Sequence, residues 1–243
     1  MQKLIDMHSH IIPGVDDGAQ DMETCMQMLR IAAQDGISKI ILTPHNKPGH
    51  RPMNSPRVSP KVQELTDRLA DEKIDIKLYI GSELYYRSDL AQEIENARAL
   101  PLAGSRYVLV EFNPSDDYDY IRNGLYSLLM NGYYPILAHV ERYRNIRARK
   151  SGMSDLAQMG CYFQINAGSV MGKFGFDARQ YTRKLIKQKQ VHFIATDAHD
   201  AKKRAPYLSA CADYVAGKYG KEYAGRLFYD NPYHVIAHQE ITN

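Results

Sequence analysis

The chain lacks tryptophan, has three cysteines in 243 residues, and contains no apolar run near the ~20 residues that cross a bilayer. Cys25, Cys161 and Cys211 are an odd, widely spaced set with no CxxC pair. That excludes a disulfide scaffold and a cysteine-rich zinc site, and it suits a reducing compartment. A dominant charge is missing too. The 31 basic and 28 acidic residues leave a net +3, too balanced for a protein whose main work is binding nucleic acid. The opening Met1-Gln-Lys-Leu-Ile-Asp-Met-His breaks its apolar character too early for a secretory signal, so a cytoplasmic location is expected. With no internal repeat, low-complexity segment or dividing linker, residues 1–243 are read as one domain.

What the chain does have is an alternation of short apolar runs and amphipathic stretches, the mark of βα units. Strands are expected at Leu4–His8, Ile37–Thr43, Ile74–Ser82, Tyr107–Phe112, Pro135–Ala138, Cys161–Ile165 and Val191–Thr196. Met22, Cys25, Met26, Leu29, Ala32 and Ala33 follow i, i+3, i+4 spacing, with Gly36 stopping that helix. Ser59-Pro60 reads as an N-cap with proline at the first helical position, opening a helix over Val62–Ala70. Asn131-Gly132 and Met159-Gly160 close two more, and Ala205–Tyr219 is the clearest helix of the last stretch. Seven strands alternating with helices predict an α/β fold, a seven-stranded (β/α) barrel, with an open doubly wound sheet as the alternative. Both put function at the carboxyl ends of the strands.

Those ends carry an unusual set of side chains. The first strand runs into Asp6-Met-His8-Ser-His10, and residues i and i+2 of an extended chain point to the same side. Alone this proves little, since roughly 0.3 HxH pairs are expected by chance in such a chain. The other expected strands run into His45, Glu83, Glu111, His139 and Asp197-Ala-His199; only the sixth, ending Gln164-Ile-Asn166, is neutral. A single histidine or glutamate at a strand end is ordinarily a solvated loop residue or a helix cap. Six together, deep in apolar runs where lone charges are costly, point to a metal cluster. Imidazole plus carboxylate without thiolate suits manganese, iron or zinc, and the number of ligands implies two or three ions. His50, His192, His234 and His238 read as ordinary surface or core residues.

At these residues the sequence resembles the PHP (polymerase and histidinol phosphatase) superfamily. Asp6-Met-His-Ser-His10, Val15-Asp-Asp-Gly18, Thr43-Pro-His45, Gly81-Ser-Glu83, His139-Val-Glu-Arg-Tyr143 and Thr196-Asp-Ala-His199 carry the likeness, in order, over most of the chain. More narrowly it is similar to the bacterial protein-tyrosine phosphatases that accompany tyrosine autokinases of capsule and exopolysaccharide synthesis. The resemblance implies a distorted (β/α)7 barrel over residues 1–243 with a trinuclear, usually manganese-dependent centre. By position, one metal would be held by His8, His10, Glu83 and Asp197. A second would use Glu83, Glu111 and His139, with Glu83 bridging, and a third Asp17, His45 and His199. Arg142 and Arg204 match basic residues expected to hold phosphate. Pro44-His45-Asn46-Lys47 departs from the paired histidines expected there, and Pro48–Arg57 is basic; both bear on the choice of substrate.

The chemistry fits such a set. A water held between two ions loses its proton near neutrality and can attack phosphorus directly, while ions and arginine forks absorb charge on the phosphoryl oxygens. A tyrosyl leaving group, pKa ~10, departs more easily than an alkoxide, with His199 or a coordinated water as proton source. The cysteine route, Cys-x5-Arg, is excluded: six residues after the three cysteines stand Ile31, Ala167 and Gly217. The alternatives are a small-molecule phosphatase such as one for histidinol phosphate, and a metal-dependent nuclease. The charge balance and the absence of tryptophan argue against the nuclease. The expected partner is a phosphotyrosine protein, a tyrosine autokinase, with no nucleic acid bound.

Overall fold

A computed structural model of the chain describes residues 3–47 and 54–241. All the strand pairs are parallel. Strands β1 (Leu4–Asp6), β2 (Ile37–Leu42), β4 (Lys77–Ile80), β6 (Tyr107–Glu111), β7 (Tyr134–Leu137), β8 (Tyr162–Asn166) and β9 (Phe193–Ala195) answer the seven expected, trimmed at their ends. Two short strands are additional, β3 (His45–Asn46) and β5 (Glu83–Tyr85). Each continues a strand that breaks for a local reason. Pro44 offers no N–H to the ladder after β2. After β4, Gly81 lies so close to Leu102 that a Cβ there would meet its side chain at 2.9 Å. The backbone stays in register across the breaks, with Gly81 N donating to Leu42 O at 2.9 Å and Glu83 N to Pro44 O at 3.2 Å.

The ladders run β1-β2-β4 and β3-β5-β6-β7-β8-β9. The exit of β9 lies back against the exit of β1: a parallel bridge joins Ser9 to Ala198, Asp197 N donates to His8 O at 2.9 Å, and His10 N to Ala198 O at 2.8 Å. The result is an α/β fold built on a strongly curled parallel sheet.

Helices α1 (Met22–Gln34), α2 (Ser55–Asp71), α3 (Leu90–Glu95), α4 (Tyr118–Met130), α5 (Arg144–Ala148) and α6 (Gly152–Gln158) follow the first strands. Then come α7 (Ala167–Met171), α8 (Phe176–Lys187), α9 (Ser209–Tyr219), α10 (Lys221–Gly225) and α11 (Asn231–Ile236). No described helix is long and apolar enough to cross a membrane. Helix α1 buries the expected stripe of Cys25, Met26, Leu29 and Ala32. Gly132 and Gly160, at φ +81 and +102, follow the ends of α4 and α6 as read from the sequence.

Two helix starts differ from the expectation. Helix α2 begins at Ser55 and passes through Pro60, because Val58 is as deeply buried as Leu65 and extends the apolar stripe upstream of the proline. Helix α9 begins at Ser209, four residues later than the periodicity implied. Asp35, from the end of α1, accepts hydrogen bonds from Leu208 N, Ser209 N and Ser209 Oγ and so sets its first turn from a distance.

Inside the sheet Tyr107, Leu109, Ile136, Phe193 and Ala195 form one buried apolar cluster with Met7 and Ile41. Val235 and Ile241 join it. The segment after α11 is tied there by its backbone: Ile241 N donates to Tyr107 Oη at 3.0 Å, and Tyr107 Oη donates to Gln239 O at 3.1 Å. Residues 235–241 therefore seal the amino-terminal end of the sheet.

Candidate metal centre

Alternation along the strands carries the apolar interior into a polar mouth. Tyr107 and Leu109 are followed two residues on by Glu111, and Phe193 and Ala195 by Asp197. His139 and Asp197 leave their strands in left-handed conformations, φ 35 and φ 53, which turn both side chains away from the strand direction. Such a conformation costs on the order of 1–3 kcal/mol per residue and persists only where surrounding contacts enforce it. A third backbone device is Gly18, whose Cβ position lies 2.1 Å from His10 O. Only glycine lets the Val15–Gly18 turn close over His10.

All nine residues expected to hold metal converge on this mouth. Glu83, 1% exposed, is the hub: its Oε2 lies 3.3 Å from His8 Nε2, 3.3 Å from His10 Nε2 and 3.0 Å from His45 Nδ1. Its Oε1 lies 2.8 Å from His139 Nε2. Asp197 Oδ1 stands 3.6 Å from His8 Nε2, 3.5 Å from His10 Nε2 and 3.6 Å from His199 Nδ1. Glu111 approaches His45 Nδ1 at 3.0 Å. Asp17, 65% exposed at the lip, lies 3.4 Å from His45 Nε2 and 3.7 Å from His199 Nε2.

Three sets of ligand atoms lie within 4.8 Å of one another: His8–His10–Asp197, His45–Glu83–Glu111 and His10–Asp17–His45–His199. The grouping differs in detail from the expected one. His45 faces two groups through its two nitrogens, and His10 also belongs to two.

Residues the sequence reading gave no role fix how these rings face. Gln164 Oε1 accepts from His139 N at 2.7 Å, so that atom is an acceptor, and His8 Nδ1, 3.2 Å away, must carry the hydrogen. Asp16 Oδ2 likewise takes a hydrogen from His10 Nδ1 at 2.8 Å, and the Asp197 carbonyl takes one from His199 Nδ1 at 3.0 Å. In all three rings it is therefore Nε2 that faces the cluster, and it offers a lone pair to an ion whenever the ring is neutral. The adjacent aspartates part here: Asp16 is turned to His10 Nδ1 and His45 N, and Asp17 to the cluster. Gln164 and Asn166 occupy the same i, i+2 positions at a strand end as the titratable groups, a signal that was readable in the sequence. Asp6, two residues before His8 and so at the same spacing, accepts from Thr196 Oγ1 and Thr196 N and ties β1 to β9.

Without an ion the electrostatics are those of cations and anions forced together. Burial disfavours protonated His10, but its contacts with Asp16, Asp197 and Glu83 outweigh burial and hold its pKa well above the imidazole norm. Burial also opposes protonation of His45, yet Glu111 and Glu83 raise it to about 9. His8 is raised by Glu83 and Asp197 against the same burial cost. Glu83 and Asp197, buried but surrounded by these rings, stay well below the carboxylate norm. His199 goes the other way: burial and the charge on His10 lower it to about 3. Neutral and with its Nδ1–H committed, His199 presents an Nε2 lone pair to the cluster.

Arg142 and Arg204 both reach the outer oxygen of Asp197, at 3.0 and 2.7 Å, beside Asn166 Nδ2 at 2.7 Å. Arg204 Nε remains buried without an acceptor. Two guanidinium forks thus stand at the edge of the cluster. The basic stretch 48–57 lies outside the described residues over 48–53, His50 included. All three cysteines are buried and free. Burial pushes the thiols of Cys25 and Cys161 up to about 12 and that of Cys211 higher still, so none is a nucleophile.

Comparison with known proteins agrees with this geometry. The family model for capsular polysaccharide synthesis, CpsB/CapC, matches residues 4–237. The chain is 33% identical to the tyrosine-protein phosphatase CpsB of Streptococcus pneumoniae, over 98% of this chain and 100% of that one. It is 32% identical to the tyrosine-protein phosphatase YwqE of Bacillus subtilis (strain 168), over 90% and 86%. A solved structure from a study of YwqE from B. subtilis and CpsB from S. pneumoniae, described as unique metal-dependent tyrosine phosphatases, matches with a TM-score of 0.92 at 31% identity. That match covers 98% of this chain and 96% of the other. A histidinol phosphate phosphatase from Lactococcus lactis, complexed with zinc, L-histidinol and phosphate, matches with a TM-score of 0.59 at 18% identity, a likeness of fold alone. It covers 95% of this chain and 98% of that one.

Proposed function

Because the chain belongs to the CpsB/CapC family of capsular polysaccharide synthesis, we propose that it is a metal-dependent protein-tyrosine phosphatase, a phosphoric monoester hydrolase. One observation carries the reading beyond family membership. Nine imidazoles and carboxylates, from six strand ends and the Val15–Gly18 turn, share one mouth, and three of the rings have their outer nitrogens committed to acceptors.

The residues fit two or three divalent ions. Buried His45 Nδ1 and Glu111 Oε1 approach to 3.0 Å yet form no hydrogen bond, and His139 Nδ1 also has no partner. His8 Nε2 and His10 Nε2 stand 3.2 Å apart and both turn to the cluster, so with the rings neutral their lone pairs face each other. Lone pairs facing one another at such range are relieved by a shared cation. His8, His10, Glu83 and Asp197 would hold one ion, Glu111 and His139 a second with Glu83, and Asp17, His45 and His199 a third. Manganese is the assigned metal. Bound there, the ions supply Lewis acidity and an activated water.

The chain's own residues do the rest. Asp16 and Gln164 fix the rings of His10 and His8. Arg142 and Arg204 receive the phosphoryl oxygens with their unused N–H groups, an arrangement their planar forks suit. Asn166 keeps the Asp197 carboxylate turned between the arginines and the cluster. No thiol takes part. We assign the physiological substrate as a tyrosine autokinase of capsule synthesis and the location as the cytoplasm. The curled sheet closes as seven staves, with β2–β3 and β4–β5 as one stave each, and residues 1–243 act as one domain.

The test is a phosphotyrosyl peptide assayed beside histidinol phosphate, before and after metal stripping. Turnover of the peptide should vanish with EDTA, return with Mn2+ and survive thiol alkylation. Robust turnover by stripped protein defeats the metal mechanism, and a preference for histidinol phosphate moves the chain to the small-molecule alternative.

A further inference from the structure

A groove of about 240 Å³ opens beside the metal centre, lined by Met171, Lys173, Phe174, Lys203, Arg204 and Tyr207 among others. Its walls come from α7, which follows β8, and from the loop that follows β9, so it opens on the same face as the mouth. Arg204 belongs to both: its side chain lines the groove and its guanidinium reaches Asp197 at 2.7 Å. The groove therefore begins one arginine away from where a phosphoryl group would sit.

Three of the eight large apolar side chains that stand exposed among the described residues line this groove: Met171, Phe174 and Tyr207 are 40%, 45% and 48% exposed. The Phe174 ring lies where a Cβ on Gly168 would be 2.8 Å away, so the glycine lets the ring settle against the backbone of α7. Exposed apolar clusters of this kind mark binding surfaces.

The charge of the rim is one-signed. Lys173 and Lys203 form no ion pair among the described residues; Lys173 Nζ stands 5.3 Å over the Tyr207 ring. The only acidic lining residue, Asp35, spends its carboxylate on the first turn of α9. The volume lies below the ~300–1,000 Å³ typical of sites that enclose a whole small ligand, and matches one or two side chains of a longer chain.

We infer that this groove is the docking site for residues flanking the phosphotyrosine of the substrate protein, selecting an apolar side chain next to an acidic one. The inference rests on the phosphatase reading and deepens it. Arg204 takes a phosphoryl oxygen, the apolar neighbour enters between Phe174, Met171 and Tyr207, and the acidic neighbour meets Lys173 and Lys203. Selectivity would then reside away from the metal ligands, in side chains that are exposed and free to change.

The experiment uses the metal-loaded protein with three substrates: para-nitrophenyl phosphate, a phosphotyrosyl peptide with leucine and glutamate beside the phosphotyrosine, and the same peptide with serine and lysine there. The wild type should prefer the first peptide over the second by about tenfold in kcat/KM, as two exposed charge pairs permit. Lys173→Glu with Lys203→Glu should reverse that preference through KM. Phe174→Ala with Met171→Ala should lower kcat/KM for the first peptide about tenfold. Both double variants should leave para-nitrophenyl phosphate turnover within twofold, which also certifies their folding. Equal peptide kinetics in wild type and variants, or an equal fall on all three substrates, overturns the groove assignment. Failure of the wild type to hydrolyse any of the three instead removes the phosphatase reading beneath it.

Discussion

At the amino-terminal end of the curled sheet the inward positions are Tyr107, Leu109, Ile136 and Phe193, sealed by Val235 and Ile241; at the carboxyl end the same alternation presents Glu111 and Asp197, and the left-handed turn after β7 adds His139. Backbone geometry is shared, and burial is nearly equal: His8, His10 and Glu83 are as deeply enclosed as Leu109. What differs is how the enclosed groups are satisfied. The lower end needs only shape, since an apolar side chain removed from water is stabilised by about 25 cal/mol per Å² without a partner. The upper end needs stoichiometry, because every buried charge requires an opposite charge or an ion. Packing holds one end, and coordination with its supporting hydrogen bonds holds the other.

The largest effect that would break this contrast is expected at Glu83. Glu83→Ala should lower phosphotyrosine turnover by about 10³-fold or more, the several kcal/mol an ion supplies, while circular dichroism reports a folded chain. Unchanged kcat would refute the hub role. At the opposite end, Phe193→Ala should cost about 3–5 kcal/mol of stability in urea unfolding with kcat per folded molecule preserved. A selective loss of kcat there would erase the distinction between the ends.

Smaller effects sharpen it. Gln164→Leu removes the acceptor behind His8 Nδ1 and His139 N; it should weaken metal affinity about 10–100-fold, and the orphaned donors should cost the metal-free chain about 1–3 kcal/mol in urea unfolding. Since His8, His10 and His45 have raised pKa values in the metal-free protein, loading metal at pH 7 must expel protons from them. Apparent metal affinity should therefore rise with pH, about tenfold per unit for each proton expelled, and calorimetry in buffers of different ionisation enthalpy should register the release.

The smallest effect concerns His192, at the lower end, where burial lowers the ring to about 4 and Nδ1 accepts from Phe163 N at 3.1 Å. Its folded pKa lies below the unfolded value of about 6.5, so the unfolded chain binds more protons between the two. Stability should fall as pH drops below about 6.5, by about 2 kcal/mol at about pH 5, and His192→Asn should flatten that slope. An identical acid limb in the variant would remove His192 as its source.

The strands and most helices were legible because period-2 and period-3.6 apolar patterns are local properties of the chain. The errors fell where a distant residue set a boundary. Asp35 fixed the start of α9, the buried Val58 carried α2 back through Pro60, and two strands interrupted at Pro44 and Gly81 resumed as β3 and β5 beyond their expected ends. In the metal centre, titratable groups stood out against apolar runs, so His8, Glu83 and Asp197 were visible. Asp16 was in view only as a neighbour of Asp17. Gln164 and Asn166 are neutral and gave no comparable contrast, although they orient the charged groups.

The order of chemistry-bearing residues along the chain, their placement at strand ends and the absence of a usable thiol are fixed by sequence alone, since each follows from residue type and local periodicity. Which nitrogen of each ring faces the cluster, which of two adjacent aspartates turns toward it, and where the terminal segment comes to rest were decided by tertiary structure. Those outcomes depend on partners up to 156 residues apart, such as His8 and Gln164, whose meeting no local pattern encodes.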